Sequence, residues 1–219
     1  WLHAEQVSRR SLFSYVWLSQ LTHDSLTGGK SLDPLISQFF RSMSDRTKSE
    51  TIILFLSDHG YRMAPYRETP LGMLEDMLPF GWFLLPPKFR KQYPDEVDRL
   101  EANAFRLVTP YDIHATLLSL AALASNGSQT LAKENSTVGV SLLERVIPPE
   151  RTCGDAGVDA QYCSCYTSSD IDTDKPQAKL IAEYVIKTIN DLLKRSNATL
   201  CSRLYNPVVV RFERVGDNL

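Results

Sequence analysis

The chain has 219 residues, 43% of them hydrophobic and 23% charged, with a formal net charge of -2. That composition supports one sizeable core and excludes wholesale disorder. The nearly balanced charge leaves no electrostatic footprint for nucleic acid or an anionic membrane surface, so neither is expected as a partner.

In chain order, Ser11 to Leu21 is rich in aromatic and β-branched residues and ends at the polar stretch Thr22 to Gly29. It reads as a buried strand, with a helix as the alternative. Leu35, Ile36, Phe39, Phe40 and Met43 then recur at helical spacing, with Asp33 as the expected N-cap and Pro34 at the first helical position. Thr51 to Ser57 is a short continuous apolar run that reads as a central strand of a parallel sheet. A strand–helix–strand unit of this kind needs a right-handed crossover. Its strand ends would then bring His23 and the Asp58–His59 pair to one edge of the sheet.

Phe80 to Leu85 reads as a further strand closed by Pro86-Pro87, and Pro87 to Asn103 as a charged surface segment. A helix is expected over Tyr111 to Leu123, entered through Thr109-Pro110, with Asp112 as its N-cap. The polar stretch from Ser125 to Asp174 reads as an irregular excursion with a weak core. Apolar spacing returns over Lys179 to Arg195, a helix with a basic last turn, and Val208 to Phe212 reads as a strand. The expected fold class is α/β, a mostly parallel central sheet flanked by helices. One domain fragment is expected, in three stretches: 1–124 sheet portion, 125–176 excursion, 177–219 return to the core.

The longest apolar stretches fall well short of the roughly 20 residues that cross a bilayer. The chain starts at Trp1 without an initiator Met or leader pattern, so any leader or membrane anchor is expected upstream. Cys153, Cys163, Cys165 and Cys201 all lie in the last third. An even number suits two disulfides, and the one-residue gap between Cys163 and Cys165 is tighter than in a zinc knuckle. The expected pairing joins Cys153 to Cys163 or Cys165, and the remaining one to Cys201. The sequons at Asn126, Asn135 and Asn197 lie in polar segments, and with the clustered cysteines they favour the secretory-pathway lumen or the extracellular space.

Ser57-Asp58-His59-Gly60 follows an apolar strand directly, where open α/β folds place ligands. A carboxylate and an imidazole adjacent in sequence reach one cation if the turn is tight, and Gly60 permits such a turn. The bland alternative is a capped strand end with a solvated Asp and a hydrogen-bonded His. His114, on an apolar helix, reads as a packed or surface histidine rather than a ligand. Glu75 reads either as a carboxylate bracing the site or as a solvated helix residue.

TIILFLSDHG, then Leu71-Gly72-Met73-Leu74-Glu75, Pro79 and the strand through Leu85-Pro86-Pro87, then LVTPYDIHATLLSL, resembles the carboxyl half of the alkaline-phosphatase-like, sulfatase-type superfamily. With the later C-G-D-A-G and Y-C-S-C, it is similar to a secreted or membrane-anchored animal domain family whose function is unassigned. The resemblance runs from Tyr15 to about Cys201. It implies an alkaline-phosphatase-like fold and a metal-dependent hydrolase or transferase acting on phosphate or sulfate esters. The substrate would be a small molecule or a glycan or lipid ester.

By the same resemblance, Asp58 and His59 are ligands of the divalent cation shared with the nucleophile. His23 matches the histidine that binds a second metal or the leaving-group side of the substrate. Relatives with two zinc ions carry an aspartate four residues before that histidine, where this chain has Ser19; Asp24 is the alternative donor. The mixed Asp and His pair suits zinc or manganese, with calcium, which prefers oxygen ligands only, as the third option. The nucleophile, a Thr or Ser, stands further upstream in the family than any residue of this chain, so the fragment alone is expected to be catalytically incomplete. The rival expectation is a noncatalytic secreted glycoprotein domain that keeps the fold.

Overall fold

A computed structural model of the chain describes residues 11–125, 138–209 and 212–217. His3 and the sequons at Asn126 and Asn135 lie outside the described residues. The chain divides into two compact units, 1–164 and 165–219.

In the first unit the order is helix α1 (Gln20–His23), α2 (Gly29–Ser42), α3 (Asp45–Glu50), strand β1 (Ile53–Leu56), a 3-10 turn (Tyr66–Glu68), and α4 (Pro70–Met77). Strand β2 (Gly81–Leu84) follows, then α5 (Pro87–Gln92), α6 (Pro94–Asn103) and α7 (Pro110–Ala124). This corrects the expected fold class. Among the described residues there is no parallel central sheet: β1 pairs antiparallel with β2, Ile53 opposite Leu84 and Leu56 opposite Gly81. Ser57 and Phe80 close the end of the pair, Ser57 N–H donating to the Phe80 carbonyl and Phe80 N–H to Ser57 Oγ, both at 3.1 Å. The apolar run correctly marks a strand, but hydrophobicity carries no information on the direction of its neighbour. Residues 11–19 form no strand, so the crossover argument has no first member.

The helix expected at Asp33 begins earlier, at Gly29, and Pro34 sits inside it. Pro87 to Asn103 lies largely at the surface, as expected, but it is helical: it forms α5 and α6, each opened by a proline at its start, and it supplies Phe89, Val97 and Leu100 to the core. Leu85, Leu142, Leu143 and Ile147 complete that core. The last three come from the cysteine-bearing stretch, whose residues 138–148 are irregular in backbone yet bury Ser141, Leu142, Leu143 and Ile147.

An irregular strap can be buried only if its peptide groups find partners. Here the helices supply them. Asn103, on α6, donates to the carbonyls of Leu142 and Arg145 at 3.1 and 2.9 Å and accepts from Ile147 N–H at 2.8 Å. Thr116, on α7, accepts from Leu142 N–H at 2.9 Å, and Arg106 donates to the Ile147 carbonyl at 3.1 Å. Asp112 is not the cap of α7. Thr109 caps that helix, and the Asp112 carboxylate, one turn in, accepts from Thr109 N–H at 2.8 Å.

Cys153 and Cys163 form a disulfide that closes a loop after the strap. In the second unit, β3 (Tyr166–Asp170) pairs antiparallel with β4 (Glu213–Asp217), and α8 (Pro176–Arg195) is the helix expected near Lys179. Asn190 of α8 brackets Leu204, donating to its carbonyl at 3.0 Å and accepting from its N–H at 2.9 Å. The strand expected at 208–212 falls partly outside the described residues, and the observed strand lies just beyond it. The second disulfide is a further correction: Cys165 and Cys201 are exposed free thiols.

Candidate metal-binding turn

β1 ends at Leu56, and the chain turns sharply through Ser57-Asp58-His59-Gly60 against the last turn of α4. Gly60 N–H donates to the Asp76 carbonyl at 3.3 Å. A Cβ at position 60 would collide with the Glu75 carbonyl and the Asp76 amide, so only glycine lets the turn approach the helix this closely. α4 is itself fixed by Thr69, whose Oγ accepts from Gly72 N–H at 3.0 Å, and by Gly72, where a Cβ would meet the Tyr66 carbonyl.

The imidazole of His59 is half-buried, and its Nδ1 lies 2.6 Å from the Gly60 carbonyl oxygen. A carbonyl only accepts, so Nδ1 carries the proton and donates. Nε2 lies 3.3 Å from Asp58 Oδ2. Two donors each about 2.0–2.1 Å from a tetrahedral ion stand about 3.3 Å apart, so this pair fits two corners of a zinc-type site.

Asp76 lies on the other side of the ring, its side chain 9% exposed and its Oδ1 3.9 Å from His59 Nδ1. Its two oxygens are held by two arginines: Arg62 Nε donates to Oδ1 at 3.0 Å, and Arg67 Nε to Oδ2 at 3.2 Å. Sequence reasoning missed all three residues. Their spacing follows no helical or strand period, and only the fold of the 60–77 loop onto α4 brings them together. Glu75, read beforehand as a site brace or a solvated residue, accepts from the Tyr66 hydroxyl at 2.6 Å. That bond holds the Tyr66 phenol above its ordinary pKa, through the hydrogen bond itself, then desolvation, then the carboxylate charge.

His23 does not follow a strand. It ends the short helix α1, exposed, with Nδ1 2.6 Å from Asp24 Oδ1. The expectation that it shares a sheet edge with Asp58 therefore loses its basis. Among the described residues, His23, Asp58 and His59 do not form a three-ligand group with donor atoms within 4.8 Å of one another. The fit to a metal rests on Asp58 and His59. His114 is exposed on α7. A separate open cavity of 490 Å³, bordered by Tyr93, Glu96, Arg99, Ser119 and Glu144 among others, takes in none of the turn residues.

The turn after β1 thus places a half-buried imidazole beside an exposed carboxylate, with donor atoms 3.3 Å apart. A family model, described as a protein of unknown function (DUF229), matches residues 3–210, and the chain belongs to that family. No curated protein and no solved structure matches it.

Proposed function

We propose that the protein is a metal-dependent hydrolase or transferase acting on phosphate or sulfate esters, of the alkaline-phosphatase-like type that the sequence motifs resemble. The observation that supports this reading is the 3.3 Å spacing of His59 Nε2 and Asp58 Oδ2. With Nδ1–H committed to the Gly60 carbonyl, Nε2 is left 3.3 Å from a carboxylate oxygen. Two acceptors at that distance repel unless a proton or cation lies between them. A divalent ion there would supply charge stabilisation for the oxygens of a phosphate or sulfate ester. Asp58 and His59 would hold it, with zinc or manganese favoured by the mixed donors and calcium less suited. His23 enters this reading through the resemblance alone, on the substrate or leaving-group side or at a second metal.

The proposed setting is the secretory-pathway lumen or the cell exterior. The Cys153–Cys163 bridge supports it, as does Asn197, exposed at a φ of 52° in its sequon and open to a glycan. Among the described residues no helix is long and apolar enough to cross a membrane.

The test uses the intact protein. Asp58→Ala and His59→Ala should lower bound metal and ester cleavage together, while His114→Ala leaves both within a few-fold. His23→Ala should lower turnover with metal content near normal. Metal analysis beside initial rates on aryl phosphate, phosphodiester and aryl sulfate reads both. If the wild type binds no divalent ion and cleaves none of these, the noncatalytic glycoprotein-domain reading replaces this one.

A further inference from the structure

We propose that Arg62 and Arg67 form an anion-recognition pair that holds the tetrahedral oxyanion of the substrate, its phosphate or sulfate group, beside His59. The inference rests on the reading of Asp58 and His59 as an ester-processing site and assigns the residues that would bind the ester's charge.

Both guanidinium groups are tied to one carboxylate, each through Nε alone, one to either oxygen of Asp76. A guanidinium has five N–H donors, so four on each arginine, those of the Nη nitrogens, remain after the Asp76 bond. Neither guanidinium makes a further hydrogen bond among the described residues, and the side chains are 57% and 39% exposed. Two cations share one anion, so the Asp76 carboxylate alone does not balance the pair. Asp76 also approaches Nδ1 of His59, so the arginines are anchored beside that imidazole, on the side of the ring away from Asp58.

A purely structural arginine in the same protein looks different. Arg151 is 6% exposed, engages both oxygens of Asp112, and donates its remaining Nη hydrogens to the carbonyls of Leu107 and Val138. One arginine would neutralise Asp76; a second, with its donor fork turned to neither carboxylate nor carbonyl, is unexplained by packing. Planar donor forks fit the paired oxygens of phosphate and sulfate, which a lysine contacts only as a point charge. Asp76 acts here as a positioning residue: it fixes both Nε atoms and so sets the direction of the free forks.

The test measures binding of inorganic phosphate and of inorganic sulfate to the intact protein by calorimetry, in the metal-loaded state and after chelation. The two anions separate a phosphate site from a sulfate site. Arg62→Ala with Arg67→Ala should weaken the preferred anion by at least about tenfold, the usual scale for lost charge-assisted hydrogen bonds, with metal content unchanged. Asp76→Asn should weaken it less. The single variants Arg62→Gln and Arg67→Gln, which keep a donor near Asp76, serve if the double variant does not fold, and each should weaken binding several-fold. Lysine at both positions should restore part of the affinity.

Wild-type affinity in the arginine variants would overturn the proposal, and so would wild-type protein that binds neither anion with or without metal. Anion binding that depends on the arginines, in a protein whose metal content ignores Asp58→Ala and His59→Ala, would keep the pair and discard the metal reading. Metal loss in those variants with anion affinity indifferent to the arginines would do the reverse.

Discussion

Arg151 grips Asp112 through two parallel bonds, Nη1 to Oδ2 at 2.8 Å and Nη2 to Oδ1 at 3.1 Å, where the carboxylate has no exposure to solvent. The remaining capacity of the carboxylate is filled by Thr109, through both its N–H and its hydroxyl, and by Val140 N–H at 2.8 Å. One ion pair thus joins the start of α7 to both ends of the buried strap. Removing a single partner leaves the other charge buried and unpaired, so Arg151→Ala or Asp112→Ala should cost about 3–5 kcal/mol. That is a large part of the roughly 5–15 kcal/mol that holds a domain folded. Urea denaturation of the intact protein checks it, and Arg151→Lys, which keeps the charge without the fork, should fall between.

Gly60→Ala should destabilise by about 1–3 kcal/mol, the scale of overpacking, because the new methyl group has to displace the carboxyl end of α4. Gly29→Ala is the control: its Cβ meets nothing within 4 Å in the first turn of α2, and alanine there should be neutral to slightly stabilising. Paired thermal melts distinguish the two sites.

The Tyr66 hydroxyl donates to Glu75 at 2.6 Å, and its pKa is raised. A group whose folded pKa lies above its unfolded one stabilises fully below the unfolded value, and the contribution fades as pH rises through the folded one. The Tyr66–Glu75 link should therefore weaken only in strongly alkaline solution. Glu75→Gln should bring tyrosinate absorbance in at lower pH by one phenol.

Asp155 shows the opposite sign. The Thr152 hydroxyl, 2.7 Å away, and then the Thr152 N–H, at 3.0 Å, hold its carboxyl below the ordinary carboxylate value. Its contribution is present above the unfolded pKa and is lost as pH falls through the lowered one. Thr152→Val should raise the Asp155 titration midpoint, read from its side-chain carboxyl resonance.

Nonreducing peptide mapping should recover Cys153 joined to Cys163, with Cys165 and Cys201 alkylated as free thiols. Replacing Cys153 and Cys163 by serine should cost about 2–4 kcal/mol, because the open loop regains conformational freedom on unfolding.

Much of this protein is set by local sequence. The apolar run at Ile53–Leu56 is a strand, Thr109-Pro110 opens a helix, the stripe from Leu180 to Leu193 is helical, and Asp58-His59-Gly60 sits at a strand end. Each of these follows from side-chain period, capping chemistry or the freedom of glycine, all of which act over a few residues. Strand direction does not, because it depends on which distant segment returns to pair, and so β2 beside β1 contradicts the expected parallel sheet. The run at 11–21 shows the same limit: aromatic and β-branched content favours a strand only where a partner edge receives it.

The site divides along the same line. Asp58 and His59 are neighbours in the chain and were legible as a pair. Asp76, Arg62 and Arg67 were not, because only the packing of Gly60 onto the end of α4 brings that carboxylate to the imidazole and draws both arginines to it. The burial of Ser141, Leu142, Leu143 and Ile147 was hidden for the same reason: an irregular segment contributes to a core only when Asn103, Thr116, Asp112 and Arg151, far from it or at its edge in sequence, satisfy its backbone.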